Sequence, residues 1–311
     1  MRNSIVSFGV QWALKSLEYS PKSIALFTAM RLASLYRLFD RRHREIARIN
    51  LRIAFPDWTG SRQEAVSRES YRSLARLVVE VARLPHLNQN NISQLVRYDE
   101  EYGLHHYLQA AAQGHGVLFL TGHFSSFELL PQAHALYGYP LSFVVRPLDH
   151  PSLEAKLDSY RKMSGNRTIP KRGALRQILQ TIRKKKDVGI LIDQNVMPHE
   201  GIFVPFFGKA ACTTSGLATI AIKTGAPIIP GRIQWMAGER RYRMKFYPAL
   251  PLIREGDQEE LLRINTTRFN QVIEDWIRED PGSWLWGHMR WRTRPPEDPD
   301  NPYKAIGKVS C

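Results

Sequence analysis

A histidine and a glutamate five residues apart mark the first place where this sequence could do chemistry. His123 follows a short apolar segment, residues 117–120, and Glu128 lies on the opening turns of the next helical pattern. Because a turn from loop to helix can bring the carboxylate back to the imidazole, the spacing predicts a histidine general base whose tautomer Glu128 fixes. A histidine that packs at a strand end beside a solvated glutamate is the alternative. Ser125 and Ser126 lack the flanking glycines of a nucleophile elbow, which argues against a serine nucleophile.

Two arginines and an aspartate follow other predicted elements. Arg146 comes directly after the strand-like residues 141–145. Arg161 lies at the end of the helical pattern that follows in the chain. Guanidinium groups at these places suit a phosphate group or a developing oxyanion, with a solvated basic face as the alternative. Asp193 and Gln194 end a further buried strand. An unpaired carboxylate would be costly there, so Asp193 needs a partner, and either arginine could supply it.

Thr213 opens a run of three hydroxyl-bearing residues before the helical pattern of residues 216–224. Such side chains cap a helix and leave backbone N–H groups that suit an anionic substrate. Capping without a ligand is the alternative. The cluster of Phe203, Phe206 and Phe207 that precedes the run could line an apolar channel or pack in the core.

The usual signatures of dinucleotide, phosphate-loop and zinc-protease sites do not occur in the sequence. The ten histidines show no metal-ligand spacing with carboxylates, and the two cysteines, Cys212 and Cys311, form no C-x-x-C pair. We therefore expect neither a cofactor nor a metal, and we expect a reducing compartment.

The 311-residue chain carries a formal net charge of +15, and its basic residues are unevenly distributed. Residues 161–186 contain ten Lys and Arg and no carboxylate. A field of this kind attracts nucleic acid, an anionic membrane leaflet, or a phosphorylated or acidic substrate. Because the cations are not interleaved with aromatic residues that could stack on bases, we expect no nucleic-acid partner.

Short apolar runs alternate with helical patterns in the second half of the chain. The runs are residues 116–121, 141–145, 188–192 and 228–233, and residues 242–247 look like one more strand. Continuous apolar runs are typical of strands buried on both faces. The alternation predicts an α/β fold with a mostly parallel central sheet and helices on both faces.

Three portions follow from this pattern. Residues 1–110 are predicted to be helical, residues 111–295 to form the α/β domain, and residues 296–311, rich in Pro and Asp, to form a flexible tail.

Within the first portion, residues 24–39 form an apolar helical pattern that a cluster of arginines follows directly. Such a helix can lie in a membrane interface while its cations meet anionic headgroups, so we expect the N-terminal portion to associate with an anionic membrane. Whether it crosses the bilayer is left open, and a core helix with solvated arginines is the alternative.

The motifs, in their order, resemble those of the bacterial lipid A biosynthesis acyltransferases, the lauroyl and myristoyl transferases of the lysophospholipid-acyltransferase-like superfamily. The resemblance covers about residues 50–295. Its pieces are Asn50-Leu-Arg-Ile-Ala-Phe-Pro56, Gly122-His123 with Glu128, Arg146-Pro147, Asp193-Gln194, Phe203-Val-Pro-Phe-Phe-Gly208, Thr213-Thr-Ser-Gly-Leu-Ala218, Gly225-Ala-Pro and Trp286-Gly-His-Met-Arg-Trp-Arg-Thr-Arg-Pro295.

This resemblance implies an acyltransferase that moves a fatty acyl chain from a thioester donor to a hydroxyl of a phosphorylated glycolipid. The donor would be acyl carrier protein or coenzyme A, and the site would lie at the cytoplasmic face of the inner membrane. His123 matches the family's general base and Glu128 its orienting carboxylate. Substrate contacts are expected at Arg146, Arg161, Asp193, Gln194 and Thr213.

Other acceptors fit the same motifs. A lysophospholipid, an aminolipid or a mannosylated phosphoinositide could replace the lipid A precursor. A protein without catalytic activity that binds a membrane or a nucleic acid through its basic residues is the alternative from a different class. An intact pair of base and carboxylate argues against that alternative.

Overall fold

A seven-stranded sheet with helices on both faces forms the centre of the fold. The computed structural model describes residues 2–306, so Cys311 and the rest of the tail after residue 306 lie outside the described residues. The strands are β1 (Val96–Tyr98), β2 (Leu118–Thr121), β3 (Ser142–Val145), β4 (Arg167–Pro170), β5 (Val188–Leu191), β6 (Gly201–Phe206), β7 (Lys209–Thr214), β8 (Ile228–Met236) and β9 (Arg241–Phe246).

The sheet has the order β1-β9-β8-β2-β5-β3-β4. From β8 to β4 all neighbouring strands are parallel, whereas β9 runs antiparallel to β8 and pairs in parallel with β1. Strands β6 and β7 form a separate antiparallel hairpin. The predicted α/β fold with a mostly parallel sheet is therefore confirmed. The four apolar runs correspond to β2, β3, β5 and β8, and the further predicted strand at residues 242–247 corresponds to β9.

The α-helices lie on both sides of this sheet. They are α1 (Arg2–Tyr19), α2 (Lys22–Phe39), α3 (Arg41–Ala54), α4 (Gly60–Arg83), α5 (Ile92–Leu95), α6 (Leu104–Ala111), α7 (Leu129–Leu136), α8 (Pro151–Lys162), α9 (Ala174–Arg183), α10 (Gly216–Thr224) and α11 (Gln258–Glu279). Alternate residues of β2 show how the two layers are built. Leu118 and Leu120 pack with side chains of α9, α10 and α11, whereas Phe119 packs with those of α6 and α7.

A gap opens inside the sheet between β3 and β5. These strands pair only at Ser142 with Val188 and at Phe143 with Gly189. Beyond these two pairs the strands diverge toward their carboxyl ends. In open α/β sheets ligands bind beyond the carboxyl ends of the strands, so this divergence creates space at the edge where a site is expected.

The N-terminal helices pack through small residues and leave large apolar side chains exposed. Ala25 and Ala29 of α2 are buried against Ala75 and Val79 of α4. The outer face of α2 exposes the apolar side chains of Ile24, Phe27, Leu32, Leu35, Tyr36, Leu38 and Phe39. Across residues 2–306, no helix combines the length and the apolar character needed to cross a bilayer.

Two segments differ from the sequence-based prediction. The N-terminal portion is not wholly helical, because residues 96–98 form β1 at the edge of the sheet. Part of the predicted flexible tail is packed against the core. Tyr303 is 4% exposed, donates a hydrogen bond to Asn50 of α3, and accepts one from the backbone N–H of Trp291.

Candidate active site

Strand register places His123 beside Asp193. Strands β2 and β5 are parallel neighbours, with Leu118 opposite Val188 and Thr121 opposite Leu191. Each strand is followed by one further residue and then by the functional side chain. The imidazole and the carboxylate therefore leave adjacent strands at the same level, at the carboxyl edge of the sheet.

Asp193 is 1% exposed and accepts three hydrogen bonds. Its Oδ1 lies 2.8 Å from Nδ1 of His123, while Oδ2 accepts from the backbone N–H of His123 at 2.8 Å and from Nε1–H of Trp284 at 2.7 Å. Burial by itself raises the pKa of Asp193, but the charge of His123 and the hydrogen bonds from His123 and Trp284 outweigh it and lower the pKa to about 2. The carboxylate is thus ionised and fixed.

A glycine allows this close approach. A Cβ atom at Gly122 would lie 3.0 Å from both Cγ and Oδ2 of Asp193. The segment after His123 is also held from the other side, because Phe124 forms an antiparallel bridge with Trp284 and the backbone N–H of Leu285 donates to the carbonyl of His123. The loop that carries His123 is thereby fixed between β5 and the C-terminal segment.

The carboxylate that contacts His123 is Asp193 and not Glu128, which corrects the pairing inferred from the sequence. Both oxygens of Glu128 contact Arg161 instead, with Nε of the arginine at 3.0 Å and Nη2 at 2.5 Å. Glu154 lies 3.6 Å from the same guanidinium. Glu128 precedes α7 and faces α8, so the turn carries its side chain toward Arg161. The sequence suggested Arg146 or Arg161 as the partner of Asp193. In the structure the side chains that contact this carboxylate are those of His123 and Trp284.

The hydrogen bond to Asp193 determines the tautomer of His123. An ionised carboxylate only accepts, so Nδ1 of His123 carries the proton and Nε2 is left with a lone pair. The side-chain amide nitrogen of Gln194 lies 3.2 Å from that Nε2. Gln194 therefore occupies the position from which a hydrogen-bond donor can reach the lone pair of Nε2.

His123 and Gln194 stand at one end of a cavity of about 790 Å³. The wall near them includes the polar side chains of Glu128, Arg161 and His288, and the ring of Phe127, whose centroid lies 4.8 Å from that of His123. The cavity extends into the gap between β3 and β5, where its wall is largely apolar. Lining side chains there include Phe119, Leu130, Leu141, Phe143, Val144, Ile178 and Ile190. Such a site suits a ligand with a polar reacting group and a long apolar part.

The two remaining predicted contacts lie in different surroundings. Arg146 lines the cavity, and its side chain is 77% exposed with only Asp149 nearby at 3.5 Å. Thr213 is fully buried inside β7, where its hydroxyl accepts from Nη2 of Arg290 at 2.6 Å and from Asn270 at 3.2 Å. The next residues, 214–216, line the cavity, whereas Thr213 does not.

Sequence reasoning did not assign roles to two residues of the C-terminal segment. Trp284 completes the set of donors around Asp193, and His288 lines the cavity while its Nε2 accepts from the backbone N–H of Asn195 at 2.9 Å. Both residues follow α11, far in sequence from β2 and β5. His288 lies within the motif Trp286 to Pro295 that the resemblance includes, but the motif gave it no role, and Trp284 lies just before that motif.

Within residues 2–306 no three His, Cys, Asp or Glu side chains are grouped so that they could hold a metal ion.

Comparison with known proteins gives a consistent result across the chain. The model of the family described as bacterial lipid A biosynthesis acyltransferase matches residues 2–293. A lipid A biosynthesis palmitoleoyltransferase of Escherichia coli is 28% identical over 92% of this chain and 90% of its own length. A lipid A biosynthesis lauroyltransferase of the same organism is 24% identical over 93% of this chain and 91% of its own length.

A relative named for a different acceptor also matches. A phosphatidylinositol mannoside acyltransferase of Mycobacterium tuberculosis is 29% identical over 70% of this chain and 69% of its own length. The similarity therefore extends to acyltransferases whose names specify different acceptors.

The lowered pKa of Asp193 predicts how stability depends on pH. Its folded pKa of about 2 lies below the ordinary value of 3.8, so its ionisation stabilises the fold above about pH 4 and this contribution is lost as pH falls through about 2. We expect Asp193→Asn to remove roughly 2 kcal/mol of this pH-dependent stability. Denaturant unfolding of both proteins between about pH 6 and pH 2 measures it.

The control for this experiment is Asp149→Asn, which changes a carboxylate that is 95% exposed. The control should follow the wild-type curve. Parallel curves for wild type and Asp193→Asn across the acid range would contradict the prediction.

Proposed function

Because the chain belongs to the bacterial lipid A biosynthesis acyltransferase family and is therefore an acyltransferase, we propose that it transfers a fatty acyl chain from an acyl thioester to a hydroxyl of a lipid A precursor. The observation that carries this proposal is the His123–Asp193 pair at the polar end of a cavity whose far wall is apolar. A base beside an apolar cavity fits a reaction that deprotonates an alcohol and handles a hydrocarbon chain.

The proposed reaction begins when the acceptor hydroxyl displaces the amide of Gln194 and donates a hydrogen bond to Nε2 of His123. As the oxygen attacks the thioester carbonyl, its proton moves to Nε2, and the ionised Asp193 stabilises the resulting imidazolium. The tetrahedral intermediate then breaks its C–S bond. The thiolate leaves with the proton that His123 returns, so the ester and the free thiol are the products and no covalent enzyme intermediate is needed.

The gap between β3 and β5 is the proposed binding site of the fatty acyl chain. Its walls are formed by side chains such as Phe143, Val144 and Ile190, which lie in the divergent part of the two strands. Transfer of a hydrocarbon chain into such a wall is favourable by about 0.8 kcal/mol for each buried CH₂ group. Donor affinity should therefore increase with chain length until the cavity is full.

Arg161 is proposed to shape this site without binding a phosphate directly. Its guanidinium is 7% exposed and is already neutralised by Glu128 and Glu154. A buried ion pair of this geometry is rigid, and removing one partner would leave an uncompensated charge. The Glu128–Arg161 pair thus fixes the wall of the cavity between α7 and α8.

His123→Ala is predicted to abolish acyl transfer while the protein keeps its fold. Loss of the base removes proton transfer, which contributes on the order of 10²–10⁴-fold or more to the rate. The assay supplies a labelled acyl thioester with a tetra-acylated, phosphorylated disaccharide acceptor and separates the lipids by thin-layer chromatography. His115→Ala, in the exposed loop before β2, is the matched control and should transfer at the wild-type rate.

Substantial turnover by His123→Ala would rule out this base. If the wild type forms no product with the disaccharide, the same assay with lysophospholipids, aminolipids and a mannosylated phosphoinositide tests the other acceptors. Because one relative is named as a phosphatidylinositol mannoside acyltransferase, the mannosylated phosphoinositide should be tested first among these acceptors.

The thioester donor is proposed to be acyl carrier protein, bound by cations around the cavity opening. Arg146 lines the cavity, as does Lys171, and the exposed Arg172 lies between Lys171 and Gly173, a further lining residue. The other basic run, Lys184 to Lys186, precedes the amino end of β5 and so lies at the opposite edge of the sheet from His123. An acidic donor approaching the cavity would meet the first group and not the second.

We expect Arg146→Gln combined with Arg172→Gln to lower kcat/KM for acyl carrier protein on the order of tenfold at low ionic strength. The matched control replaces Lys184, Lys185 and Lys186 with Gln and should leave the kinetics unchanged. A neutral acyl N-acetylcysteamine thioester reports on chemistry without carrier docking, so both variants should use it like the wild type. Equal losses in the two variants, or the same loss with the neutral thioester, would contradict docking at the opening.

The N-terminal helices are proposed to bind the cytoplasmic face of the inner membrane, where the lipid acceptor would be located. Phe27, Leu35 and Phe39 of α2 are 53% to 77% exposed, which is a large apolar surface for one helix. Arg41, Arg44, Arg48 and Arg52 of α3 line a groove directly after it. Exposed apolar residues beside a row of arginines suit the interface of an anionic membrane.

Replacing Phe27, Leu35 and Phe39 with Ser is predicted to weaken binding to vesicles of phosphatidylethanolamine and phosphatidylglycerol. The expected loss is on the order of 100-fold, since each buried side chain of this size contributes up to roughly 1.5–3 kcal/mol. Sedimentation with the vesicles measures it. Leu108→Ser with Ile253→Ser changes exposed apolar residues on other elements and should bind like the wild type; equal losses in both variants would refute the assignment to α2.

A further inference from the structure

His288 is a polar group of the cavity that the reaction described above does not use. It lies on the C-terminal segment after α11, four residues beyond Trp284, whose indole donates to Asp193. Two contacts fix its place. The backbone carbonyl of His288 accepts from the side-chain amide of Asn50 at 2.7 Å, and its Nε2 accepts from the backbone N–H of Asn195 at 2.9 Å.

The second contact determines where the proton of this imidazole lies. A backbone N–H can only donate, so Nε2 of His288 must carry a lone pair and the proton of the neutral ring must be on Nδ1. Burial lowers the pKa of His288 to about 4, although the charge of Asp193 acts in the opposite direction. The ring is therefore neutral at pH 7 and offers one N–H donor.

That donor is available for a ligand. Within residues 2–306, Nδ1 of His288 has no hydrogen-bond partner, and it is not among the fully enclosed polar atoms that lack a partner. The open space that His288 borders is the cavity, together with His123 and Gln194. An accessible N–H group thus stands in the wall of the cavity.

Two consecutive residues, Gln194 and Asn195, contact the imidazoles of His123 and His288 respectively. The side chain of Gln194 contacts Nε2 of His123 at 3.2 Å, and the backbone N–H of Asn195 holds Nε2 of His288. Asn195 is itself fixed, because its side chain exchanges hydrogen bonds of 2.9 and 3.1 Å with Thr293. The lone pair of one imidazole and the N–H of the other therefore border the same part of the cavity.

The other arginines near the site are bound to neighbouring groups or exposed at the surface. The guanidinium of Arg161 is bound by Glu128 through Nε and Nη2, and its Nη1, which has no hydrogen-bond partner among the described residues, is fully enclosed. Arg290 is fully buried and donates to the carbonyl of Cys212 and to the hydroxyl of Thr213, away from the cavity. Arg146 is exposed at the surface. His288 thus presents an accessible ring N–H group in the cavity wall that no described residue accepts.

We propose that His288 is a second catalytic histidine, whose Nδ1–H donates a hydrogen bond to the thioester carbonyl oxygen as it becomes the oxyanion of the tetrahedral intermediate. This inference rests on the acyl transfer proposed above. His288 keeps its own proton throughout: the hydroxyl proton goes to His123, the carbonyl π electrons move to the oxygen, and they return when the C–S bond breaks. A neutral imidazole is suited to this role because it polarises a carbonyl without giving up its proton.

Two substitutions separate this role from a structural one. In His288→Asn the side-chain N–H₂ replaces Nδ1–H, whereas in His288→Gln the side-chain oxygen replaces the acceptor Nε2 that holds Asn195. If the donor matters, Gln should lower kcat by on the order of 10²–10³-fold with KM little changed, and Asn should retain at least tenfold more activity than Gln. If His288 only holds Asn195, the order of the two variants reverses, and the proposal is overturned.

The assay follows both acyl transfer and hydrolysis of the acyl thioester by water, because both pass through the same oxyanion. Hydrolysis by the wild type without transfer to any lipid would overturn the proposed acceptor, while the order of the His288 variants in hydrolysis still decides the present proposal. A wild type that uses no thioester at all would overturn the proposed function, and the role of His288 with it.

Nitrogen NMR of the full-length protein, labelled at histidine, gives a readout besides activity. The signals of His288, assigned by their absence from His288→Asn, should show the proton on Nδ1 and no titration between about pH 8 and pH 5. A proton on Nε2, or a ring that becomes charged in this range, would overturn the proposal even in an active enzyme.

Discussion

The buried negative charge of Asp193 is the constraint on which the rest of the site depends. A carboxylate that is 1% exposed costs several kcal/mol unless it is paired and fully hydrogen-bonded. Its donors come from two distant parts of the chain, since His123 follows β2 and Trp284 follows α11. The charge is therefore compensated only when β2, β5 and the C-terminal segment are all in place. Folding and assembly of the His123–Asp193 pair are in this sense one event, and Gly122 permits the close contact between the two residues.

The C-terminal segment joins this pair to the N-terminal helices. Asn50 of α3 donates to the carbonyls of both Trp286 and His288, at 2.7 Å each. Arg290 secures the same segment to β7 through the carbonyl of Cys212 and the hydroxyl of Thr213, and burial lowers the pKa of Arg290 to about 10. A buried guanidinium with oxygen acceptors but no carboxylate contact is costly, so the segment is held by groups that cannot easily be replaced. A displacement of α3 would accordingly be transmitted to the position of His288.

The fold was largely predictable from the sequence, and the pairing inside the site was not. Continuous apolar runs identified β2 and β5, and the ends of these strands placed His123 and Asp193 at one edge of the sheet. Which carboxylate meets the imidazole depends on the register between the two strands, which no local pattern encodes; the spacing from His123 to Glu128 therefore suggested the wrong partner. Strand β4 was missed because Arg167–Pro170 contains no apolar run. Trp284 and His288 were missed because only the packing of an irregular segment brings them to the site.

The arrangement also separates the two substrates of the proposed reaction. A fatty acyl chain lying between β3 and β5 would place its thioester at the polar end of the cavity, beside His123 and His288, with the carrier on the side of Arg146 and Arg172. A lipid acceptor would instead come from the membrane that α2 and α3 are proposed to contact. Since α3 is hydrogen-bonded to the segment carrying His288 through Asn50, the acceptor side of the molecule is connected to the group that would stabilise the oxyanion. Binding energy from the membrane-facing helices can in this way serve to position the reacting groups.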